Sequence, residues 1–172
     1  GRWFWWGKPH SSAKDFVTLW RFTVDYFRKE KNIHHLLIAY SPDTCATEAE
    51  YLEYYPGDEY VDVFGMDIYR DVEDKRPDKM ANRLKMMVLL AEKKGKIPAL
   101  TETGYSVRTE KDWYTGFLTQ ALTANPEVKR LAYALLWGNF DKEHYFSIYP
   151  GHFNEADFVK FSQNPFFKFE SK

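Results

Sequence analysis

The chain has a single cysteine, Cys45. Without a second, no internal disulfide can form, and neither a thiolate metal site nor dithiol redox chemistry has the ligands it needs. Long runs of one charge are also missing. The 24 Lys and Arg nearly cancel the 25 Asp and Glu, leaving a net charge of -1, so no nucleic-acid partner is suggested. No stretch approaches the roughly eighteen uninterrupted apolar residues of a membrane span. The five His include the adjacent pair His34 and His35, and none stands at a helical spacing from another suited to one ion, so neither metal nor cofactor is implied. An initiating Met and a signal sequence are absent too. The opening Gly1-Arg2-Trp3-Phe4-Trp5-Trp6-Gly7 reads as the interior of a longer protein.

What is abundant is aromatic. Phe, Trp and Tyr make up 19% of 172 residues, with six Trp, against 44% hydrophobic and 28% charged residues overall. That composition is globular and its length suits one folding unit. So many flat rings exceed what a core of this size needs, which points to a surface that uses them.

Strand and helix alternate along the chain. After Pro9, Ser11 or Ser12 is placed to cap a helix whose apolar positions Phe16, Leu19, Trp20, Val24 and Phe27 recur every three or four residues. Leu36 to Tyr40 is a continuous apolar run ending at Ser41-Pro42-Asp43, which predicts a strand buried on both sides, as in a parallel sheet. Thr47 and Glu50 have capping-box spacing for a short helix that Pro56-Gly57 stops. A second strand is predicted over 61–69, then a helix capped by Asp78 and running to Gly95. The third strand covers 97–101, followed by a helix starting at Thr109 or Asp112 and carrying Trp113 and Phe117. The fourth covers 131–137, and a last helix runs from Asn154 towards Pro165, clamping an aromatic tail outside the sheet. The pattern is a parallel α/β fold. Four strands cannot close a (β/α)8 barrel, which needs eight.

In βα barrels the functional groups collect at the C-terminal ends of the strands. Those ends carry Ser41 and Asp43, then Asp67, Tyr69 and Arg70, then Glu102, Thr103 and Tyr105, then Trp137, Asn139 and Asp141. Sugars present apolar faces that stack on Trp and Tyr, and hydroxyls that bond to carboxylates and amides. Cleaving a glycosidic bond takes two carboxyl groups, and Glu102 is the foremost candidate for one. Asp43, Arg70, Asn139 and Asp141 are secondary candidates for substrate contact, with loop capping or solvent exposure as the alternative reading.

Four motifs stand in the order found in glycoside hydrolase family 26: Gly1-Arg2-Trp3-Phe4-Trp5-Trp6-Gly7, Asp67-Ile68-Tyr69, Thr101-Glu102-Thr103-Gly104, and Trp137. The chain resembles that family over almost its whole length. The resemblance implies a retaining enzyme on a (β/α)8 TIM barrel, in a family made up mainly of endo-β-1,4-mannanases, with an acid/base Glu ending strand 4 and a nucleophilic Glu ending strand 7. On that resemblance Glu102 is the nucleophile, and Tyr69 is the Tyr that hydrogen-bonds it. Trp3 and Trp137 wall the subsite flanking the scissile bond, with Trp6 on the substrate side and Asp67 supporting the cluster. The family's His-Glu dipeptide, which carries the acid/base, lies a few residues before the aromatic run and would precede Gly1. Residues 1–172 are therefore expected to be a single unit, strands 5 to 8 of the barrel, with strands 1 to 4 and the proton donor outside this chain.

The expected activity is cleavage of β-1,4-mannosidic bonds by double displacement, this chain giving the nucleophile alone and being inactive when isolated. Activity on mixed-linkage β-1,3-1,4-glucan or β-1,3-xylan is the alternative within the family. A non-catalytic carbohydrate-binding half-barrel is the alternative outside it. Expected partners are β-mannan or a related polysaccharide, and either an N-terminal half-barrel polypeptide or a second copy of the chain to cover two open sheet edges. Because such polysaccharides lie outside cells, an extracellular, cell-surface or periplasmic location follows.

Overall fold

A computed structural model describes residues 4–106, 110–141 and 144–169. Its first helix, α1 (Ala13–Asp25), begins where Ser12 accepts a hydrogen bond from the Asp15 backbone N–H at 3.2 Å, which satisfies one of the free amides of the first turn. A π-helical turn, Tyr26–Glu30, extends it. The Trp20 indole N–H donates to the Tyr60 carbonyl at 3.1 Å, so Trp20 anchors the helix as well as packing against the core.

Strands β1 (Ala39–Tyr40), β2 (Val63–Phe64) and β3 (Ile97–Pro98) pair in parallel, Ala39 opposite Val63 and Val63 opposite Ile97. β4 (Leu100–Thr103) continues β3 after a one-residue break and pairs in parallel with β5 (Ala134–Leu136), Leu100 opposite Ala134. Ladder bonds bridge the break: Ala99 N–H donates to Phe64 O at 2.8 Å and Ile68 N–H to Glu102 O at 2.9 Å. The result is four parallel strand paths in sequence order, each followed by helix, which is an arc of a (β/α)8 barrel.

The helices between them are α2 (Glu48–Leu52), α3 (Arg70–Glu73), α4 (Pro77–Lys93), α5 (Thr119–Thr123) and α6 (Glu155–Ser162). Thr47 caps α2 as its spacing predicts, accepting from Glu50 N–H at 3.2 Å. α4 starts two residues earlier than predicted, with Pro77 in its first turn and Asp78 paired to Arg76 rather than capping. The fixed φ of proline suits a first helical position, where its missing N–H costs nothing. The buried face of α4 (Met80, Leu84, Met87, Val88, Ala91) lies in one core with Phe64, Ile68 and Leu100. Trp113 opens a π-helical segment, Trp113–Leu118. The predicted cap Thr109 falls outside the described residues. Asp112, at the N-cap, makes no capping bond with its side chain, and Asp157 of α6 accepts from Tyr114 N–H at 2.7 Å and Thr115 N–H at 3.3 Å.

The prediction of a first strand buried on both sides does not hold. Regular pairing is confined to Ala39 and Tyr40, and Leu37 is 70% exposed. Among the described residues β1 has a strand neighbour on one side only, and Leu36 and Leu37 before it stay exposed. Cys45 is buried, and burial pushes its thiol up to about 11, which keeps it a packing residue.

Candidate active site

Tyr40 and Phe64 turn towards the helices, where both meet the rings of Tyr51 and Tyr55. Side chains alternate along a strand, so the next residues, Ser41 and Gly65, face the barrel interior. There Ser41 Oγ donates to Asp67 Oδ1 at 2.6 Å, Thr101 Oγ1 donates to the same oxygen at 3.0 Å, and the two hydroxyls touch each other. Gly65 makes this layer possible, because a Cβ there would lie 2.4 Å from Thr101 Cγ2 and 2.9 Å from Ser41 Oγ. A glycine inside an apolar strand is the one sequence signal that could have singled out this position.

Above this layer, at the strand ends, Asp43 is bridged to Asp67 and Asp67 to Glu102. These are backbone pairings, so three acidic residues stand in register across three neighbouring strand paths. The middle one, Asp67, resists ionisation: burial pushes it up to about 7, with Glu102 and Asp43 adding like-charge repulsion while Ser41 and Thr101 oppose them. Glu102 is also raised by burial, but a hydrogen bond from Tyr69 works against that shift. The Tyr69 hydroxyl donates to Glu102 Oε2 at 3.1 Å. Burial first, and then the neighbouring Glu102 charge, hold that phenol protonated, so it remains a donor. Below about pH 7 this sets an oriented Glu102, whose ionised form Tyr69 favours, beside an Asp67 that keeps its proton.

Two further contacts fix the frame. The Thr103 hydroxyl donates to Ile68 O at 2.8 Å, locking β4 to the strand that carries Tyr69. Phe146 packs edge-on against the Tyr69 ring at 5.5 Å, and a Cβ on Gly104 would come within 2.7 Å of Phe146 Cβ. A small cleft lined by Tyr69, Gly104, Tyr105 and Phe146 opens beside the pair. Nothing in the sequence marked Phe146, which reaches Tyr69 across 77 positions (146 − 69) through the loop after β5.

Of the residues expected at the site, the fold brings Glu102, Tyr69 and Asp67 together. Trp137 stands at the end of β5, its backbone N–H donating to Thr103 O at 2.8 Å, with its side chain 41% exposed. Trp6 lies in the segment before α1, stacked on Phe4 at 4.6 Å and edge-on to Trp5 at 5.3 Å, and no ring contact or hydrogen bond among the described residues ties it to Glu102. Trp3 lies outside the described residues. Asn139 and Asp141 hold loops, the second of the two sequence readings: Asn139 Nδ2 donates to Ser147 O at 3.0 Å and Asp141 accepts from His144 N–H at 2.9 Å.

Comparison with known proteins gives a consistent result. The model of glycosyl hydrolase family 26 matches residues 1–146. A mannan endo-1,4-beta-mannosidase of Bifidobacterium adolescentis is 39% identical over 95% of this chain, which spans 18% of that protein. A GH26 beta-mannanase from Bacteroides ovatus superposes with a TM-score of 0.85 at 39% identity, covering 96% of this chain and 47% of that one. GH26C from Muricauda sp. MAR_2010_75 superposes with a TM-score of 0.86 at 35% identity, over 96% of this chain and 46% of that one. The chain thus spans about half the length of these solved structures.

Proposed function

Because the chain belongs to glycosyl hydrolase family 26, we propose that it supplies the nucleophile, Glu102, of a retaining mannan-cleaving barrel. The acid/base carboxyl would come from strands 1 to 4, on the same polypeptide or a separate one. The observation that carries this reading is the hydrogen bond from Tyr69 to Glu102 at the C-terminal ends of adjacent parallel strand paths. A carboxylate held ionised and aimed by a phenol that stays protonated is suited to attack an anomeric carbon. The mannanase names of the relatives support mannan as the substrate.

In the mechanism, Glu102 displaces the leaving oxygen, which takes its proton from the acid/base group, and water then releases the glycosyl-enzyme with that group acting as base. Below about pH 7 Asp67, tied to Ser41 and Thr101, keeps its proton and adds no second charge beside Glu102. Trp137, Trp3 and Trp6 are the proposed stacking surfaces for sugar faces. Secretion or surface display follows from a polymeric substrate, and no helix among the described residues is long and apolar enough to cross a membrane.

The test uses the assembled enzyme, this chain together with strands 1 to 4, on mannan, mixed-linkage glucan and β-1,3-xylan side by side. Glu102→Ala is expected to abolish turnover of mannan while manno-oligosaccharide binding persists. Tyr69→Phe is expected to lower kcat by about 10- to 100-fold, the worth of one hydrogen bond to a charged group. Losing that donor raises the Glu102 pKa, so the acidic limb of the pH profile should move to higher pH. Substantial turnover by Glu102→Ala would place the nucleophile elsewhere, and faster turnover of either other polymer would reassign the substrate. The 172-residue chain alone should be inactive, since loss of leaving-group protonation removes a factor of about 10² to 10⁴; full activity without strands 1 to 4 would overturn the division of labour.

A further inference from the structure

The turn that carries Tyr69 is too short to place itself. α3 is Arg70–Glu73, and a single helical turn has no stability of its own in water. Tyr69 stands at its N-cap, and the Glu73 N–H donates to the Tyr69 carbonyl at 3.0 Å, so the Tyr69 backbone moves with α3. Its phenol reaches Glu102 at 3.1 Å, already long for a bond between two oxygens. A small shift of α3 would break it.

What holds α3 comes from α4. Val72 lies in the core with Met80 and Leu84 of α4, which sets its depth but not its direction, because apolar contact is non-directional. The Arg76 N–H donates to the Asp71 carbonyl at 2.8 Å where the chain turns into α4. From the second turn of α4, Arg83 Nε then donates to Asp71 Oδ2 at 2.7 Å. Asp71 is 1% exposed and the Arg83 side chain 18%. A buried ion pair adds little net stability over well-packed apolar side chains, and often none. It does add direction, since a charge-assisted bond is short and holds best in one alignment. The other Asp71 oxygen has no partner among the described residues, so the Arg83 bond is what orients this carboxylate.

We propose that Asp71 and Arg83 are positioning residues for the reaction, fixing the turn that carries Tyr69 so that its hydroxyl stays on Glu102. Neither is in bonding contact with Glu102. Their role in turnover rests on the reading of Glu102 as the nucleophile, whereas the link from the ion pair to the Tyr69–Glu102 bond can be measured without turnover.

The test uses the assembled enzyme with Asp71→Asn and Arg83→Met combined, so that no buried charge is stranded, and a urea midpoint confirms that the variant is folded under assay conditions. Glutamate isotope-labelled at its side-chain carboxyl carbon reports the ionisation of Glu102 by NMR, the signal being assigned by its loss in Glu102→Gln. The double variant should lower kcat by roughly three- to thirtyfold, the scale of a misplacement away from the chemistry. It should also move both the Glu102 titration and the acidic limb of the pH profile to higher pH, as losing the Tyr69 donor does. In a Tyr69→Phe background the same two substitutions should cost nothing further, because the bond they position is already gone. Asp71→Asn alone keeps the side-chain shape and an acceptor for Arg83, and should shift both readouts the same way by less; it decides the matter if the double variant is unfolded. An unmoved Glu102 titration, or an equal loss of kcat with and without the Tyr69 hydroxyl, would make the pair structural only and overturn the proposal. If the Glu102 titration moves as expected while Glu102→Ala still turns over mannan, the positioning stands and the reading of Glu102 as nucleophile falls.

Discussion

Asp67 is the middle member of a row of acidic residues, and its ionisation costs stability at higher pH and nothing at low pH, where it is protonated folded or unfolded. Burial, with Glu102 and Asp43 nearby, pushes it up to about 7, far above the ordinary aspartate range. Between that ordinary range and about 7 the native state keeps a proton that the unfolded chain has released. Stability contributed by the neutral form is therefore complete at low pH and is lost as pH rises through the window. Glu102 is raised as well, so its contribution has the same sign. Asp67→Asn keeps an acceptor for Ser41 and Thr101 and removes the titration. Urea unfolding midpoints at about pH 5 and about pH 8 are expected to differ more for the wild type than for this variant, with the wild type weaker at the higher pH. Equal differences would mean that Asp67 does not titrate between those values.

Elements are joined here by contacts whose partners lie far apart in sequence. Asp71, in the first turn of α3, is 1% exposed, and its Oδ2 accepts from Arg83 Nε of α4 at 2.7 Å. Among the described residues its other oxygen, Oδ1, has no partner, so Arg83 is what makes burial of this charge tolerable. Arg83→Met is expected to destabilise the fold by about 3–5 kcal/mol, because it strands a buried carboxylate. The pair Asp71→Asn with Arg83→Met should recover at least half of that loss in denaturant unfolding, and no recovery would show that Arg83 acts through packing alone. The sequence offered little warning of this contact, since Asp71 stands in a run of charged residues, Arg70, Glu73 and Asp74, that are exposed, with Val72 the one buried apolar neighbour. It revealed far more where the chemistry is local. Ser12 and Thr47 each cap a helix by bonding to an amide three residues on, a spacing that can be read directly. Asp157 does the same work for the segment starting at Trp113 from 42 and 43 residues away, which no local pattern announces. The site divides in the same way. Glu102, Tyr69 and Asp67 were legible because strand ends are marked by the apolar runs that lead to them and by the motifs they share with a family. Phe146 was not, because it reaches Tyr69 through the loop after β5 rather than through any period in the sequence.

At the scale of the molecule, half a barrel has what a closed one abolishes: two free sheet edges. On one side Leu36 and Leu37 precede β1, and on the other Tyr133, Leu135 and Trp137 line β5, all of them exposed. Apolar rows beside unpaired backbone edges favour any partner able to add a strand, whether a second copy of the chain or strands 1 to 4. Alone in solution at micromolar concentration, the chain is therefore expected to run as a dimer or larger in size exclusion with light scattering. Leu37→Lys with Leu135→Lys places charge on both edges and should shift it towards monomer while the far-ultraviolet circular dichroism stays unchanged, since neither side chain is part of the buried core. Adding strands 1 to 4 to the wild-type chain should replace self-association with a one-to-one complex, and only that complex should turn over mannan. A wild-type chain that is monomeric alone would mean these edges are protected without a partner, and the paired-half reading would fall with it.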